Sequence, residues 1–488
     1  MNAFFIILAA LMFVTLSPML IAYTSVVSGW LYFVSRKINY LVVTFLGLVI
    51  YWPESMVGQA KFLSLTFVVY IACFFYLITL LLNGVSKSRL RDVVVNHWYF
   101  VISLFLLWLY VYVPILSHTY LNLEIFTGRD VLYISTDRSS HMLSFSLPMF
   151  LGIICFLILS LSAYQLKKVA PLFRLLKVSV MIYIGMSLFR YALNFDFIPQ
   201  NYTEVRYDGY RLSGFANPDP NGYARSLLVI FALVGANVLE KPSKLIGLTA
   251  FALIVVAIFM SGSRTTLMSL SVASVILLWL CLPIKKATLT MFFIIASFGI
   301  FLSSGLFEAI LYRNGVSGAI LSGRYGIYLH VISILIDSPW VGLRPGGWME
   351  YLASSVNMVD GIVRSRITTI DGTALKIQST HSFYLEVAIN WGLPMLFVIL
   401  LMSLSILRNS LSAIRDSIDV SGDIRDLRSL LIGLAALICA IHVHGVFENI
   451  PLVIYFGILG ISAGVSRKLK HELRNSNLDL SGVKLCHD

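Results

Sequence analysis

Four short stretches of this chain bring together residue types that can hold an anion and accept a proton. The first runs Arg211-Leu-Ser-Gly214-Phe-Ala-Asn217-Pro218-Asp219-Pro220-Asn221-Gly222, with Tyr223 and Arg225 directly behind it. Its prolines and glycines impose a fixed turn, and Asn221 is suited to cap the helix that follows. Backbone N–H groups at such a helix start favour an anion, with Arg211 and Arg225 close by. The alternative is a rigid entry loop whose arginines sit at the headgroup level. The second stretch, Ser261-Gly262-Ser263-Arg264-Thr265-Thr266, is a very short turn between apolar spans. A cation this close to hydrocarbon needs a partner or a cavity, or else snorkels to the surface. The third, Ser322-Gly323-Arg324, opens a helical pattern that carries His330 a little under two turns on. Arg324 there can meet an anion or pair with a headgroup. The fourth is His381-Ser382-Phe383-Tyr384-Leu385-Glu386, ahead of Asn390-Trp391-Gly392-Leu393-Pro394. Histidine is the side chain best poised to take a proton near neutral pH, so His381 is the candidate base, unless it merely caps the helix. Glu386, about one turn further, can orient that ring or titrate itself. His442, His444 and Glu448 form a weaker cluster at another helix end.

Several chemistries have no residues to run on. No outer loop carries an Asp-x-Asp pair, and no His/Cys/Asp spacing resembles a metal site. GxSxG, P-loop and dinucleotide fingerprints are missing, which removes serine-hydrolase and ATPase readings. The five cysteines (Cys73, Cys155, Cys281, Cys439, Cys486) fall in apolar spans or the C-terminal segment, where neither a disulfide framework nor a thiolate metal site is expected. No cofactor and no nucleic-acid partner is expected.

The elements that must position these residues are membrane helices. The chain has 488 residues, 58% apolar and 12% charged, against about 25% charged in soluble proteins. Apolar runs of roughly 17–25 residues recur throughout, each long enough to cross about 30 Å of hydrocarbon. The fold class expected is all-α: one polytopic transmembrane helix bundle of about fourteen helices, within a range of about twelve to fourteen. The expected spans are 3–17, 20–35, 40–54, 61–83, 97–117, 143–165, 175–195, 221–239, 245–261, 265–284, 287–308, 382–407, 428–446 and 451–466. The N-terminal apolar stretch lacks a basic flank and reads as structure rather than a cleaved signal.

Basic connectors set the orientation. Arg36-Lys37, Lys87 to Arg91, Lys167 to Lys177, Lys241 to Lys244, Lys285-Lys286, Arg408 to Arg428 and the tail over 467–488 are assigned to the cytoplasm. The outer side then holds 2 Lys (Lys61 and Lys376) and 12 Arg. Arginine offers a planar fork that grips phosphate bidentately, whereas lysine is a point charge, so the excess points to an anionic ligand. The alternative is pairing with loop carboxylates such as Asp130, Asp208 and Asp337. Two outer loops stand out, over 196–221 and over 309–381. The longer one is expected to carry short helices, including Tyr325 to Asp337 along the membrane surface, before Pro339 to Gly347 (PWVGLRPGG) turns the chain. No internal repeat is visible, which weakens a transporter built from duplicated halves.

In this order, the four stretches resemble the O-antigen polymerase and O-antigen ligase superfamily of bacterial polysaccharide assembly. Arg211 and Gly222 match an arginine–ten residues–glycine pattern; Ser263-Arg264 resembles a Ser-Arg helix turn; Gly323-Arg324 with PWVGLRPGG resembles a "GR … hPl.G.G" segment. His381, Leu385 and Gly392 resemble "HN–L–G–G", with Ser382 where the pattern has asparagine. The turn also departs in reading NPDPNG, and the long loop lacks a second arginine–ten residues–glycine match. The resemblance implies a metal-independent glycosyltransferase in the inner membrane, acting on the periplasmic side. Its donor would be an oligosaccharide on undecaprenyl diphosphate, its acceptor another lipid-linked repeat unit (polymerase) or lipid A–core (ligase). It implies His381 as base, with Arg211, Arg264 and Arg324 on the diphosphate. Arg225, Asn217, Asn221, Gly222, Tyr384 and Glu386 would bind substrate. Membrane lipids and a chain-length-determining co-polymerase are the implied partners. A transporter or flippase of lipid-linked sugars is the reading from another class.

Overall fold

The computed structural model describes residues 40–51, 69, 72–73, 97–121, 139–166, 168–193, 211–214, 219–241, 245–283, 285–288, 324–343, 380–418 and 422–484. For residues 40, 50–51, 112–121, 139–147, 324–327, 329–330 and 476–484 it describes the backbone. The described residues form α-helices joined by turns, with no strand among them: α1 Tyr40–Tyr51, α2 Trp98–Leu121, α3 Ser139–Tyr164, α4 Ala170–Leu193, α5 Pro220–Glu240, α6 Leu245–Ser261, α7 Arg264–Cys281, α8 Arg324–Asp337, α9 Phe383–Arg415, α10 Gly422–Phe447 and α11 Leu452–Lys484. Six of them (α4, α5, α7, α9, α10 and the Leu452–Asn475 part of α11) are long and apolar enough to cross a membrane. The helical membrane bundle is as expected. The spans at 3–17, 20–35, most of 61–83 and 287–308 beyond residue 288 lie outside the described residues.

Two central helices carry the rest. α5 and α10 are buried along nearly their whole length, a pattern for helices surrounded by other helices rather than lipid. They approach closely at Gly433, where an added Cβ would stand 2.8 Å from the Ala232 carbonyl oxygen. Beside them α3 and α11 run parallel in a register of one turn per contact. Cβ atoms added at Gly152, Gly460 and Gly464 would lie 2.7, 2.6 and 2.3 Å from Phe456, Phe156 and Ser160. Lipid chains are as apolar as leucine, so close backbone approach through small residues is what joins such helices.

Hydrogen bonds sort the helix ends into two groups. At one end Arg428 reaches Glu240 on α5, the Leu280 carbonyl on α7 and the Ile414 carbonyl on α9. Lys241 pairs there with Asp426, Nζ to Oδ1, at 2.5 Å. The starts of α5, α7, α9 and α11 and the ends of α6 and α10 gather at the opposite end, where the first, second and fourth sequence stretches meet these helix ends. α11 runs beyond the expected limit at 466 to Lys484, aided by the Lys468–Glu472 pair at 3.3 Å.

α9 is broken near its start, and the break positions α8. Gly392 adopts φ 84°, ψ 164° inside the helix, with Pro394 two residues on. The freed Ile389 carbonyl accepts from the Leu343 N–H at 2.7 Å, and the Leu393 N–H donates to the Pro339 carbonyl at 2.8 Å. The turn over 338–343 therefore docks against the kink backbone to backbone. Gly342 (φ 63°) faces the Ile389 carbonyl and Gly392 faces the Trp340 carbonyl; Cβ atoms at these positions would lie 2.2 and 2.1 Å from those oxygens. α8 forms over nearly the stretch expected, 324–337 against 325–337, and its Val331, Ile334 and Leu335 pack on Ala388 and Ile389 of α9.

The φ/ψ of Gly392 falls in a region essentially closed to other residues, at about 1–3 kcal/mol of strain before any clash. Gly392→Ala is expected to lose at least that much stability, read as a lower unfolding temperature of the detergent-solubilised protein. An unchanged midpoint would mean that the kink is not held as described.

Candidate functional site

Arg211 is the hub of the first stretch. Its Nε donates to the Ser261 carbonyl at the end of α6 (2.6 Å), and its Nη2 donates to Oδ1 of Asn221 at the start of α5 (2.8 Å). The Leu212 N–H adds a bond to the Met260 carbonyl at 3.1 Å. Arg190, in the last turn of α4, donates to Ser213 and to the Gly214 carbonyl, so the loop is held from two helices.

The start of α5 differs from expectation. The cap is Asp219, not Asn221: its carboxylate accepts from the N–H groups of Asn221 (3.1 Å) and Gly222 (3.0 Å). Pro220 explains the choice, since proline's fixed φ suits the first helical position and leaves Asp219 in the capping place. These N–H groups are therefore taken by an internal carboxylate and do not stand open to an outside anion. Asn221 serves Arg211 instead.

The Ser261–Arg264 turn lies directly against this hub. Gly262 takes φ 61°, Ser263 caps α7, and Arg264 is its first residue. Burial lowers the proton affinity of the Arg211 guanidinium; the carboxylates of Asp219 and Glu448 oppose this, and Arg264 adds to it. A guanidinium remains charged throughout, so two cations and two carboxylates share one electrostatic neighbourhood.

His381 approaches from α9. It holds φ 54°, a left-handed conformation uncommon outside glycine, though several-fold enriched for histidine. Its neighbours sustain the turn. Thr380 Oγ1 donates to the Ser382 carbonyl at 2.8 Å, Ser382 caps α9, and Glu386 accepts from the Thr380 N–H at 3.0 Å. Glu386 also accepts from Nδ2 of Asn390 at 3.0 Å. The acidic partner facing the imidazole is thus not Glu386 but Glu448, whose Oε2 lies 3.9 Å from His381 Nδ1. Glu386 is turned toward Thr380 and braces the loop.

Three elements converge on the turn that bears Glu448. Ser382 Oγ donates to the Gly445 carbonyl, Tyr328 Oη of α8 shares its one proton between the His381 (3.1 Å) and Val446 (3.4 Å) carbonyls, and Arg225 Nη1 of α5 donates to the Asn449 carbonyl at 2.8 Å. Arg225 is buried and acts as this clamp. Tyr384 points into the bundle: its hydroxyl donates to the His442 carbonyl (2.8 Å) and lies 2.6 Å from His442 Nδ1, while Nε2 of that ring lies 2.6 Å from the Ser403 hydroxyl.

The structure thus brings together Arg211, Arg264, Asn221, Gly222 and Arg225 with His381, by way of Glu448. Asn217 and the side chain of Arg324 lie outside the described residues. In the sequence Glu448 stands only in the weaker cluster with His442 and His444, and its place at the end of an apolar helix is the signal it carries.

Residues 249–400 match a family model described as O-Antigen ligase. That segment holds the Ser263-Arg264, Gly323-Arg324, PWVGLRPGG and His381–Gly392 stretches. The match supports the O-antigen ligase and polymerase superfamily and a membrane enzyme of that type. No curated protein matches the chain.

Capping by Asp219 gives a contrast in stability. Asp219→Ala is expected to cost about 0.5–2 kcal/mol, whereas Asp219→Asn is expected to be nearly neutral, because Asn and Asp cap about equally well. Chemical or thermal unfolding in detergent reads both, and equal losses would show that the cap is not what holds this helix start.

Proposed function

We propose that this chain is a membrane-embedded glycosyltransferase that polymerises undecaprenyl-diphosphate-linked oligosaccharide repeat units at the periplasmic face of the bacterial inner membrane. The observation that carries the reading is the gathering, at one end of the bundle, of the Arg211 and Arg264 cations and the His381–Glu448 pair.

His381 takes the proton of the acceptor hydroxyl as the oxygen attacks the anomeric carbon of the donor glycan. A carbon–oxygen bond forms there, and the bond from that carbon to the diphosphate breaks. Its electron pair leaves on the diphosphate oxygen as lipid diphosphate, and the proton passes from the imidazole to solvent. The His381 side chain is 45% exposed, which allows that release. Arg211 and Arg264, with Arg324 from the start of α8, hold the diphosphate and stabilise the charge that develops as it departs. A fixed guanidinium costs no reorganisation at that moment; Arg211, whose Nε and Nη2 are engaged by Ser261 and Asn221, offers the diphosphate its charge and its Nη1 N–H groups. Asn217, Asn221 and Gly222 border the donor site. Arg225, Tyr384 and Glu386 keep the base and the α10–α11 turn in place. The outer loops over 196–221 and 309–381 face the periplasm, the tail over 467–488 the cytoplasm, and a co-polymerase that sets chain length binds from the membrane.

A second reading is transfer of the glycan to lipid A–core, favoured by the description of the matching family model. The two leave different lipopolysaccharide in a deletion strain. Loss of a polymerase leaves core bearing one repeat unit, and loss of a ligase leaves bare core. Conversion of purified lipid-linked repeats into longer chains, without nucleotide or ion gradient, would exclude a transporter.

Removing one arginine from the diphosphate site is expected to slow turnover by about 10²–10³-fold, or about 2.7–4 kcal/mol of barrier. Arg211→Lys and Arg264→Lys are expected to restore turnover in part, since an ammonium lacks the bidentate fork. Chain elongation by the purified variants reads this. Full activity of Arg211→Lys would contradict a need for the fixed guanidinium that Ser261 and Asn221 hold in place.

A further inference from the structure

We infer that Glu448 is the positioning residue of the base: its carboxylate holds the His381 ring so that Nδ1 faces Glu448 and Nε2 faces the acceptor hydroxyl. The inference rests on the reading of His381 as base and adds the group that orients it.

The geometry begins at the end of α10. The Glu448 N–H donates to the His444 carbonyl at 3.0 Å, closing the last turn. The carbonyls on either side are each held from a different helix: Gly445 by Ser382 of the α9 cap, Val446 by Tyr328 of α8, and Asn449 by Arg225 of α5. A turn fastened from three directions has little freedom, and it is the turn that presents Oε2 to His381 Nδ1 at 3.9 Å. The same Tyr328 proton is shared with the His381 carbonyl, the nearer of the two at 3.1 Å, so one bifurcated contact touches both sides of the pair. His381 itself is held in its left-handed conformation by Thr380, Ser382 and Glu386.

Burial separates the partners in a telling way. The Glu448 side chain is 15% exposed and that of His381 45%, so the carboxylate lies behind the ring and the ring lies toward solvent. A neutral imidazole that donates Nδ1–H to a carboxylate has its Nε2 lone pair free to accept a proton, and the imidazolium then formed is paired at once. The 3.9 Å separation is longer than a formed hydrogen bond, as is common for such pairs before substrate binds. Glu386, the other carboxylate on the His381 side of α9, is engaged by Thr380 and Asn390. Glu448 also lies close enough to Arg211 to oppose the effect of burial on its guanidinium.

The test uses the full-length protein in nanodiscs with lipid-linked oligosaccharide repeats. Turnover and KM are measured for wild type, Glu448→Gln, Glu448→Asp, His381→Ala and the Glu448→Gln/His381→Ala double variant. Glu448→Gln is expected to lower kcat by about 10- to 100-fold with KM within about twofold, a part of the roughly 10²–10⁴ contributed by a general base. Glu448→Asp, which keeps the charge, is expected to recover part of that loss. In the His381→Ala background the Glu448→Gln change is expected to cost nothing further, because a positioning residue has nothing left to position. Equal losses from Glu448→Gln with and without His381, or a change confined to KM, would overturn the inference. Full turnover by His381→Ala would instead overturn the reading of His381 as base, and the two failures are separate observations.

Discussion

One guanidinium joins the parts of this site. Arg211 spans from the last carbonyl of α6 to the first turn of α5, and it does so with two donors of a single rigid fork. A lysine could satisfy one of these groups and not the geometry of both. Helix ends in a membrane protein expose carbonyls that lipid cannot satisfy, so the side chains that reach them decide how the ends are arranged. Arg211, Arg225, Tyr328 and Ser382 all donate to carbonyls at the ends of α6, α9 and α10. The polar groups that draw these ends together are the same ones that surround the proposed reaction centre.

The second constraint is backbone contact at the broken helix. The α9 kink at Gly392 turns two backbone groups outward to the 338–343 turn, and Gly342 and Gly392 leave room for it. That contact fixes α8, whose Tyr328 then reaches the His381 carbonyl. The path from glycine to imidazole is short: kink, turn, helix, hydroxyl. It explains why residues with no chemistry of their own, Gly342 and Gly392, accompany Arg324 and His381 along the chain.

Hydropathy made the helices legible. α6 occupies the residues expected, 245–261, and α8 starts one residue from its expected start. Apolar runs and short basic connectors carry that information locally. Partners across the bundle do not appear in a local pattern. Glu386 was the natural carboxylate for His381 because it lies one turn away, yet its side chain returns to Thr380, and Glu448 arrives from another helix. The cap at Asp219 is legible, since Pro220 behind it suits the first helical position, but Asn221 in the same cap-rich turn competes with it on local pattern alone. The docking of Gly342 on the α9 break depends on two segments meeting in space, and spacing along the chain does not reveal it.

The central claim is that cations from separate segments hold a lipid diphosphate beside one imidazole. An electron cryomicroscopy structure of the protein with a lipid-linked oligosaccharide bound tests it most directly. The account predicts diphosphate oxygens within hydrogen-bond reach of Arg211 and Arg264, with the anomeric carbon on the side of His381. A diphosphate bound at the opposite end of the bundle, near Lys241 and Arg428, would contradict it.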